Sequence, residues 1–167
     1  ARSMMRELSC VAAQAASDGK RFLELGLAKE KLHITGSVKF DIEVSAKALE
    51  QGQALRKYFG KERQIWVAAS THPGEEEQIL LAHQTLLKRF PNALLILVPR
   101  HPDRFDEVAL LLEKYQWLFV RRSHQQSVND ETQVYLADTL GELMAFYAAS
   151  DIAFVAGGDT ALELAYT

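Results

Sequence analysis

Two short segments carry the side chains best suited to holding a phosphate. Ser70-Thr71-His72-Pro73-Gly74 sets two hydroxyls, a histidine and a glycine ahead of a stretch of helical period, where the free N–H groups of a helix N-terminus can receive an anion. Pro99-Arg100-His101-Pro102-Asp103-Arg104 puts a guanidinium directly after an apolar run, placed to pair with a phosphate or a base edge. Each residue also has a plainer reading. Ser70 or Thr71 can simply cap the helix, and Arg100 can form an ion pair with Asp103 or Asp106. His101 reads equally as a cap, and Arg104 as a solvated helix charge.

Two further turns offer less. Thr139-Leu140-Gly141-Glu142 has the spacing of a capping box, and Gly141 would let a ligand approach the backbone closely. Gly157-Gly158-Asp159-Thr160 places glycines where a strand should give way to a helix, which suits a ligand loop or a plain turn. No G-x-G-x-x-G follows a strand, and neither a GxxxxGK[ST] loop nor a G-x-S-x-G elbow occurs. His72 and His101 with Glu75, Glu76 and Glu77 lack metal-ligand spacing, so neither a metal nor a cofactor is expected. Trp66 and Trp117 sit in or beside apolar runs and read as core.

The elements that must carry these residues alternate. Short apolar runs at 65–69, 94–99, 9–14, 33–38, 118–121, 133–136 and 152–156 are separated by segments of helical period, the pattern of parallel strands joined by crossover helices. Runs apolar throughout suit strands covered on both faces. Ile79, Leu80, Leu86, Leu87 and Phe90 mark one helical face, with His83 among them and Glu75, Glu76 and Glu77 in the first turn to complement the helix dipole. Phe105, Val108, Ala109, Leu112 and Tyr115 mark another, with Pro102 at its start, and a further helix follows Asp138. Residues 124–131 read as a surface loop and residues 160–166 as helix-like. Because ligands bind at the carboxyl ends of strands in open parallel sheets, the polar residues after positions 69, 98, 136 and 155 are the candidates.

Composition sets the outer bounds. Of 167 residues, 48% are hydrophobic and 25% charged, enough for one sizeable core. A net charge of −3 gives no basic surplus for nucleic acid or an anionic membrane, so an anion site must be local. The single cysteine, Cys10, allows no internal disulfide, and its apolar surroundings predict an inert core thiol. No run approaches the ~20 apolar residues that span a bilayer. A domain boundary is expected near Lys39-Phe40-Asp41, dividing the chain into residues 1–41 and 42–167.

In its longer motifs the chain resembles the bacterial 3-deoxy-D-manno-octulosonic acid (Kdo) transferases. The resemblance is carried by Val11-Ala12-Ala13-Gln14 with Asp18-Gly19 and Arg21-Phe22, by Ile34-Thr35-Gly36-Ser37-Val38-Lys39-Phe40-Asp41, and by Trp66-Val67-Ala68-Ala69-Ser70-Thr71-His72-Pro73-Gly74-Glu75-Glu76. It continues through Leu95-Ile96-Leu97-Val98-Pro99-Arg100-His101-Pro102-Asp103-Arg104-Phe105 and Asp138-Thr139-Leu140-Gly141-Glu142-Leu143.

The resemblance implies an α/β, Rossmann-like doubly wound parallel sheet within a two-domain GT-B glycosyltransferase. Residues 1–41 would end an acceptor-binding N-terminal domain, and residues 42–167 would begin a nucleotide-sugar-binding one. It implies a CMP-Kdo donor, a lipid A precursor acceptor, and work at the cytoplasmic face of the bacterial inner membrane, with membrane association through an N-terminal region. The nucleotide-sugar contacts it implies are Ser70, Thr71, Pro99, Arg100, His101, Gly141, Glu142 and Glu163. The last aligns with a glutamate of the family's His-Asn-x-Leu-Glu-Pro only across a deletion, Asp159 and Thr160 standing where His-Asn would be. The family's catalytic glutamate lies earlier than this chain begins, so the chain alone is expected to be inactive. A GT-B transferase using another nucleotide sugar and a non-catalytic nucleotide-binding or interaction module are the competing readings.

Overall fold

A computed structural model describes residues 2–37, 44–156 and 163–166 and divides the chain into two compact units, Ala1–Glu43 and Val44–Thr167. The expected boundary at residues 39–41 lies outside the described residues.

The first unit holds α1 (Arg2–Glu7), β1 (Val11–Ala13), α2 (Ala16–Glu24) and β2 (Leu32–Ile34). β1 and β2 pair in parallel, Val11 opposite Leu32 and Ala13 opposite Ile34. Gly19 of α2 faces β2, where an added Cβ would stand 2.7 Å from Ile34 Cδ1 and displace that side-chain tip. Cys10 corrects its prediction: it is exposed. Of the apolar run around it only Ala13 is buried, since β1 is three residues long and turns alternate side chains outward.

The second unit is an α/β layer of α3 (Ala46–Phe59), β3 (Ile65–Thr71), α4 (Glu75–Leu87), β4 (Leu94–Pro99), α5 (Phe105–Lys114), β5 (Phe119–Arg121), β6 (Val134–Leu136), α6 (Leu143–Ala149), β7 (Ile152–Val155) and β8 (Glu163–Tyr166). The sheet order is β5-β6-β4-β3-β7-β8. The first five strands are parallel, as the alternation implies, and β8 runs antiparallel to β7. All six residues of β4 are buried, because helices cover both faces of the sheet. Ile65, Val67, Leu94, Ile96 and Tyr135 pack toward Leu55 and Phe59 of α3 and Phe146 of α6. The alternate residues Ala68, Leu95, Leu97 and Leu136 pack toward Ile79 and Leu80 of α4 and Val108 and Leu112 of α5. This is the two-residue period of a strand read on two buried faces.

Two expectations change in detail, and a helix stands where the sequence shows no clear periodicity. The charged segment after Ser45 is a helix, α3, whose first turn Ser45 caps by accepting from the Ala48 amide at 3.2 Å. The helix after Asp138 begins only at Leu143, because Gly141 sits at φ 83°, in a left-handed conformation that a helix cannot continue through. Residues 163–166 form a strand rather than a helix, since the free edge of β7 offers backbone partners that outweigh local propensity. The loop read at 124–131 opens with a short 3₁₀ turn, Arg122–His124, and is otherwise irregular and largely exposed.

Two positions yield tests of this packing. Gly52 in α3 faces α6 so closely that a Cβ would stand 2.4 Å from Ala148 Cβ and 3.0 Å from the Ala145 carbonyl oxygen. Gly52→Ala raises helix propensity by about 1 kcal/mol, yet it should destabilise the protein by about 1–3 kcal/mol through overpacking against backbone. A urea midpoint at or above wild type would refute the close α3–α6 contact.

His83 is fully buried. Its Nδ1 accepts the Trp66 indole N–H at 3.0 Å and its Nε2 lies 2.9 Å from the Gln133 carbonyl. The indole can only donate and the carbonyl only accept, so the ring is the neutral tautomer protonated on Nε2. Burial pushes its pKa down to about 4 from an ordinary 6.5, with the Gln133 carbonyl opposing and Arg63 adding to the fall. The stability this contributes is complete above about pH 6.5 and is lost as pH falls toward 4, by about 3 kcal/mol in all. Unfolding midpoints across pH 7.5 to 4 should therefore drop less steeply in His83→Gln than in wild type, and parallel curves would reject the buried neutral imidazole.

Candidate functional site

The helix after β4, α5, packs on one face of the sheet and the helix after β6, α6, on the other. Since β4 and β6 are neighbours, the chain leaves their carboxyl ends in opposite directions. This is the topological switch point of the sheet, the place where open α/β sheets bind ligands. Arg100 and His101 stand on its β4 side, and the Asp138–Glu142 turn on its β6 side.

Arg100 is exposed just where β4 stops being covered. Its amide donates to the Thr71 carbonyl at 3.0 Å. Its guanidinium has no hydrogen-bond or ion-pair partner among the described residues. Neither carboxylate proposed to neutralise it does so, for Asp106 holds Arg121 at 2.8 Å instead. His101 holds the N-cap position of the short 3₁₀ turn Pro102–Arg104, but its side chain makes no capping bond. Its ring meets that of His72 edge to face, centroids 5.8 Å apart. Pro99 is buried as the last residue of β4, which fixes where Arg100 emerges but leaves Pro99 little surface for a ligand.

At the end of β3 the register to β4 shifts between Ala69 and Thr71, and Ser70 occupies a left-handed conformation with φ 59°, a strained state for a non-glycine residue. Neither hydroxyl caps α4, whose N-cap is Gly74. Thr71 is fully buried and donates to Glu76 Oε1 at 2.7 Å, so its hydroxyl supports the site from beneath. Ser70 stays half-buried at the surface.

Arg104 also departs from its predicted role. It is not a solvated charge: it is 7% exposed and paired with Glu76, 1% exposed, through Nη1 at 2.7 Å and Nη2 at 3.2 Å. Nη1 reaches the Thr71 carbonyl too, at 3.3 Å, and Nη2 reaches Glu107. The hydrogen bond to Glu76 drives the Arg104 pKa further up, against the opposing effect of burial. Of the three glutamates placed in the first turn of α4, Glu76 thus turns inward, while Glu75 accepts the His72 amide at 2.7 Å.

The β6 side is rigid and mostly self-satisfied. Asp138 accepts from Arg121 Nε at 2.6 Å and from the amide and hydroxyl of Ser123 at 2.8 and 2.6 Å. Burial raises its pKa, but the Ser123 and Arg121 bonds outweigh this and hold it below the usual range. The expected capping box is replaced by a side-chain clasp. Thr139 donates to Glu142 at 2.5 Å, and Arg122 donates to Glu142 at 3.1 and 2.7 Å. Arg122 chiefly, opposed by burial, holds the Glu142 carboxyl low. Glu142 therefore anchors the turn, and the open position is Gly141, around which a Cβ would meet nothing within 4 Å. Glu163 stands on β8 opposite Val155, at the carboxyl end of β7. Residues 157–160 lie outside the described residues.

The hollows on the surface are half-open and lie elsewhere. One of about 180 Å³, lined by Glu77, Leu80, Leu81, Gln84, Tyr115 and Trp117, has no cationic group and offers a phosphate nothing; the strand-end switch point is an open rim. No group of three or more His, Cys, Asp or Glu among the described residues could hold a metal, and no described helix is long and apolar enough to cross a membrane.

A parallel sheet covered by helices on both faces, with an exposed and unneutralised arginine just past the carboxyl end of β4, is a Rossmann-like layer. Residues 1–42 match the family model of 3-deoxy-D-manno-octulosonic-acid transferase (kdotransferase). The chain is 50% identical to a 3-deoxy-D-manno-octulosonic acid transferase of Haemophilus influenzae over 93% of its length and 36% of that protein's. It is 36% identical to one of Bordetella pertussis, with the same two coverages. The crystal structure of the C-terminal CMP-Kdo binding domain of WaaA from Acinetobacter baumannii superposes with a TM-score of 0.62 at 39% identity, over 66% of this chain and 58% of that one. The chain is thus similar to Kdo transferases over nearly all of its length and spans about a third of the length of these curated relatives.

The geometry separates the two arginines by role. Arg104→Ala leaves the buried Glu76 carboxylate without its cation and should cost about 3–5 kcal/mol, while Arg100→Ala, with no partner to orphan, should hardly move the urea midpoint. Comparable losses in the two variants would contradict this division.

Proposed function

We propose that the protein transfers Kdo from CMP-Kdo to a lipid A precursor in lipopolysaccharide synthesis, and that this chain supplies part of the CMP-Kdo-binding surface of a GT-B enzyme. The observation that carries the reading is the Arg100 guanidinium, exposed and unneutralised just past the carboxyl end of β4. The superposed WaaA domain, described as CMP-Kdo binding, supports the choice of donor. Arg100 pairs with the phosphate of CMP. His101 and Ser70 stand beside it on the same rim, and the open turn at Gly141 admits the nucleotide against backbone.

Transfer forms a bond from an acceptor hydroxyl oxygen to the anomeric carbon of Kdo and breaks the bond from that carbon to the phosphate oxygen. The hydroxyl proton passes to a base supplied by the acceptor-binding domain, and CMP leaves with the electron pair. As negative charge builds on the departing phosphate, Arg100 stabilises it more than it stabilises the bound donor, the condition for accelerating the step. The acceptor is a membrane lipid precursor, so the enzyme works at the cytoplasmic face of the inner membrane, held there through its N-terminal region.

Titration calorimetry with CMP tests the donor site. Arg100→Ala should weaken binding by about 1.5–3 kcal/mol, roughly 10- to 150-fold, the size of a charge-assisted hydrogen bond. Unchanged CMP affinity in the folded variant, or UDP or GDP competing as well as CMP, would sink the assignment.

A further inference from the structure

We propose that the buried Thr71–Glu76–Arg104 cluster is a positioning device that sets Arg100 and Ser70 relative to one another through a single atom, the Thr71 carbonyl oxygen. The proposal rests on the reading of Arg100 as the nucleotide contact. The Thr71 oxygen accepts from the Arg100 amide at 3.0 Å and from Arg104 Nη1 at 3.3 Å. The Thr71 hydroxyl is held separately, by Glu76 at 2.7 Å, and Glu76 is held in turn by Arg104. Thr71 is thereby fixed at both its backbone and its side chain. The bonds draw on three elements: the end of β3, the first turn of α4, and the short 3₁₀ turn Pro102–Arg104 that leads into α5.

Ser70 immediately precedes this point, in its left-handed conformation at the register shift. A backbone held in a sparsely populated region persists only when its surroundings over-determine it, and here the residue beside it is tied down by directional bonds. A well-packed apolar cluster could stabilise the fold as well as a buried ion pair does. It could not fix the direction in which two neighbouring backbone segments emerge. Arg100 therefore meets its phosphate from a fixed base, with less freedom to lose on binding.

The test is a double-mutant cycle read by CMP titration, at a temperature where circular dichroism shows every variant folded. Glu76→Gln keeps an acceptor for Thr71 but removes the charge that orients Arg104. It should weaken CMP binding roughly five- to tenfold when Arg100 is present and have no further effect in the Arg100→Ala background, the non-additivity of groups acting through one another. Thr71→Val, which removes only the hydroxyl, is the milder variant should Glu76→Gln fail to fold, and it should show the same dependence on Arg100. A lowered melting temperature with unchanged CMP affinity, or an equal fold-loss in both backgrounds, would overturn the positioning role while leaving Arg100 as the contact. An Arg100→Ala variant that binds CMP normally would bring down the site reading and the positioning role together.

Discussion

Everything at the candidate site follows from the burial of β4. A strand with every residue covered from both faces can carry no charge along its length. The first position at which the chain can present a guanidinium is therefore the one just past Pro99. The same covering helices explain why the switch point lies where it does. α5 and α6 must take opposite faces to bury both sets of alternating side chains, and by doing so they part above the adjoining ends of β4 and β6.

Polar groups at the two ends of the sheet are treated in opposite ways. At the amino end, Arg63 is 8% exposed and donates to the carbonyls of Asn92, Asn129 and Thr132, and Arg56 donates to the carbonyls of Lys61, Arg63 and Ala149 while pairing with Asp151. Those arginines join loops together. At the carboxyl end, Arg104, Arg121 and Arg122 are consumed by Glu76, Asp138 and Glu142, which leaves Arg100 to meet charge from outside. Among the described residues at this end, an arginine left unpaired beside several committed ones is a more specific signal than a basic patch, because Glu76, Asp138 and Glu142 are already matched to other arginines.

How much of this was legible in the sequence depended on distance along the chain. β3 and β4 were plain because residues buried on two faces make continuous apolar runs. α3 was hidden in a charged segment whose inward residues, Gly52, Leu55 and Phe59, are too few and too varied to show a periodicity. The Thr139–Glu142 spacing looked like a cap, yet the conformation at Gly141 and the reach of Arg122 across 20 residues of sequence decide otherwise. Arg104 was misread for the same reason: its partner Glu76 is 28 residues away, and local spacing shows only a charge in a helical turn. Arg100 was the candidate best served by sequence, since its claim rested on following a buried strand. Its lack of a neutralising partner became visible only once Asp106 was seen with Arg121.

The left-handed backbone at Ser70 has a consequence for descent. Glycine, asparagine and aspartate tolerate that conformation best, whereas a β-branched residue is a genuine outlier there. Threonine, the usual chemical stand-in for serine, is thus closed to this position although it supplies the same hydroxyl. A lineage that keeps both the turn and the hydroxyl has serine alone to draw on. A change there must first surrender one of the two, so drift at position 70 would proceed through loss of the hydroxyl to glycine or asparagine.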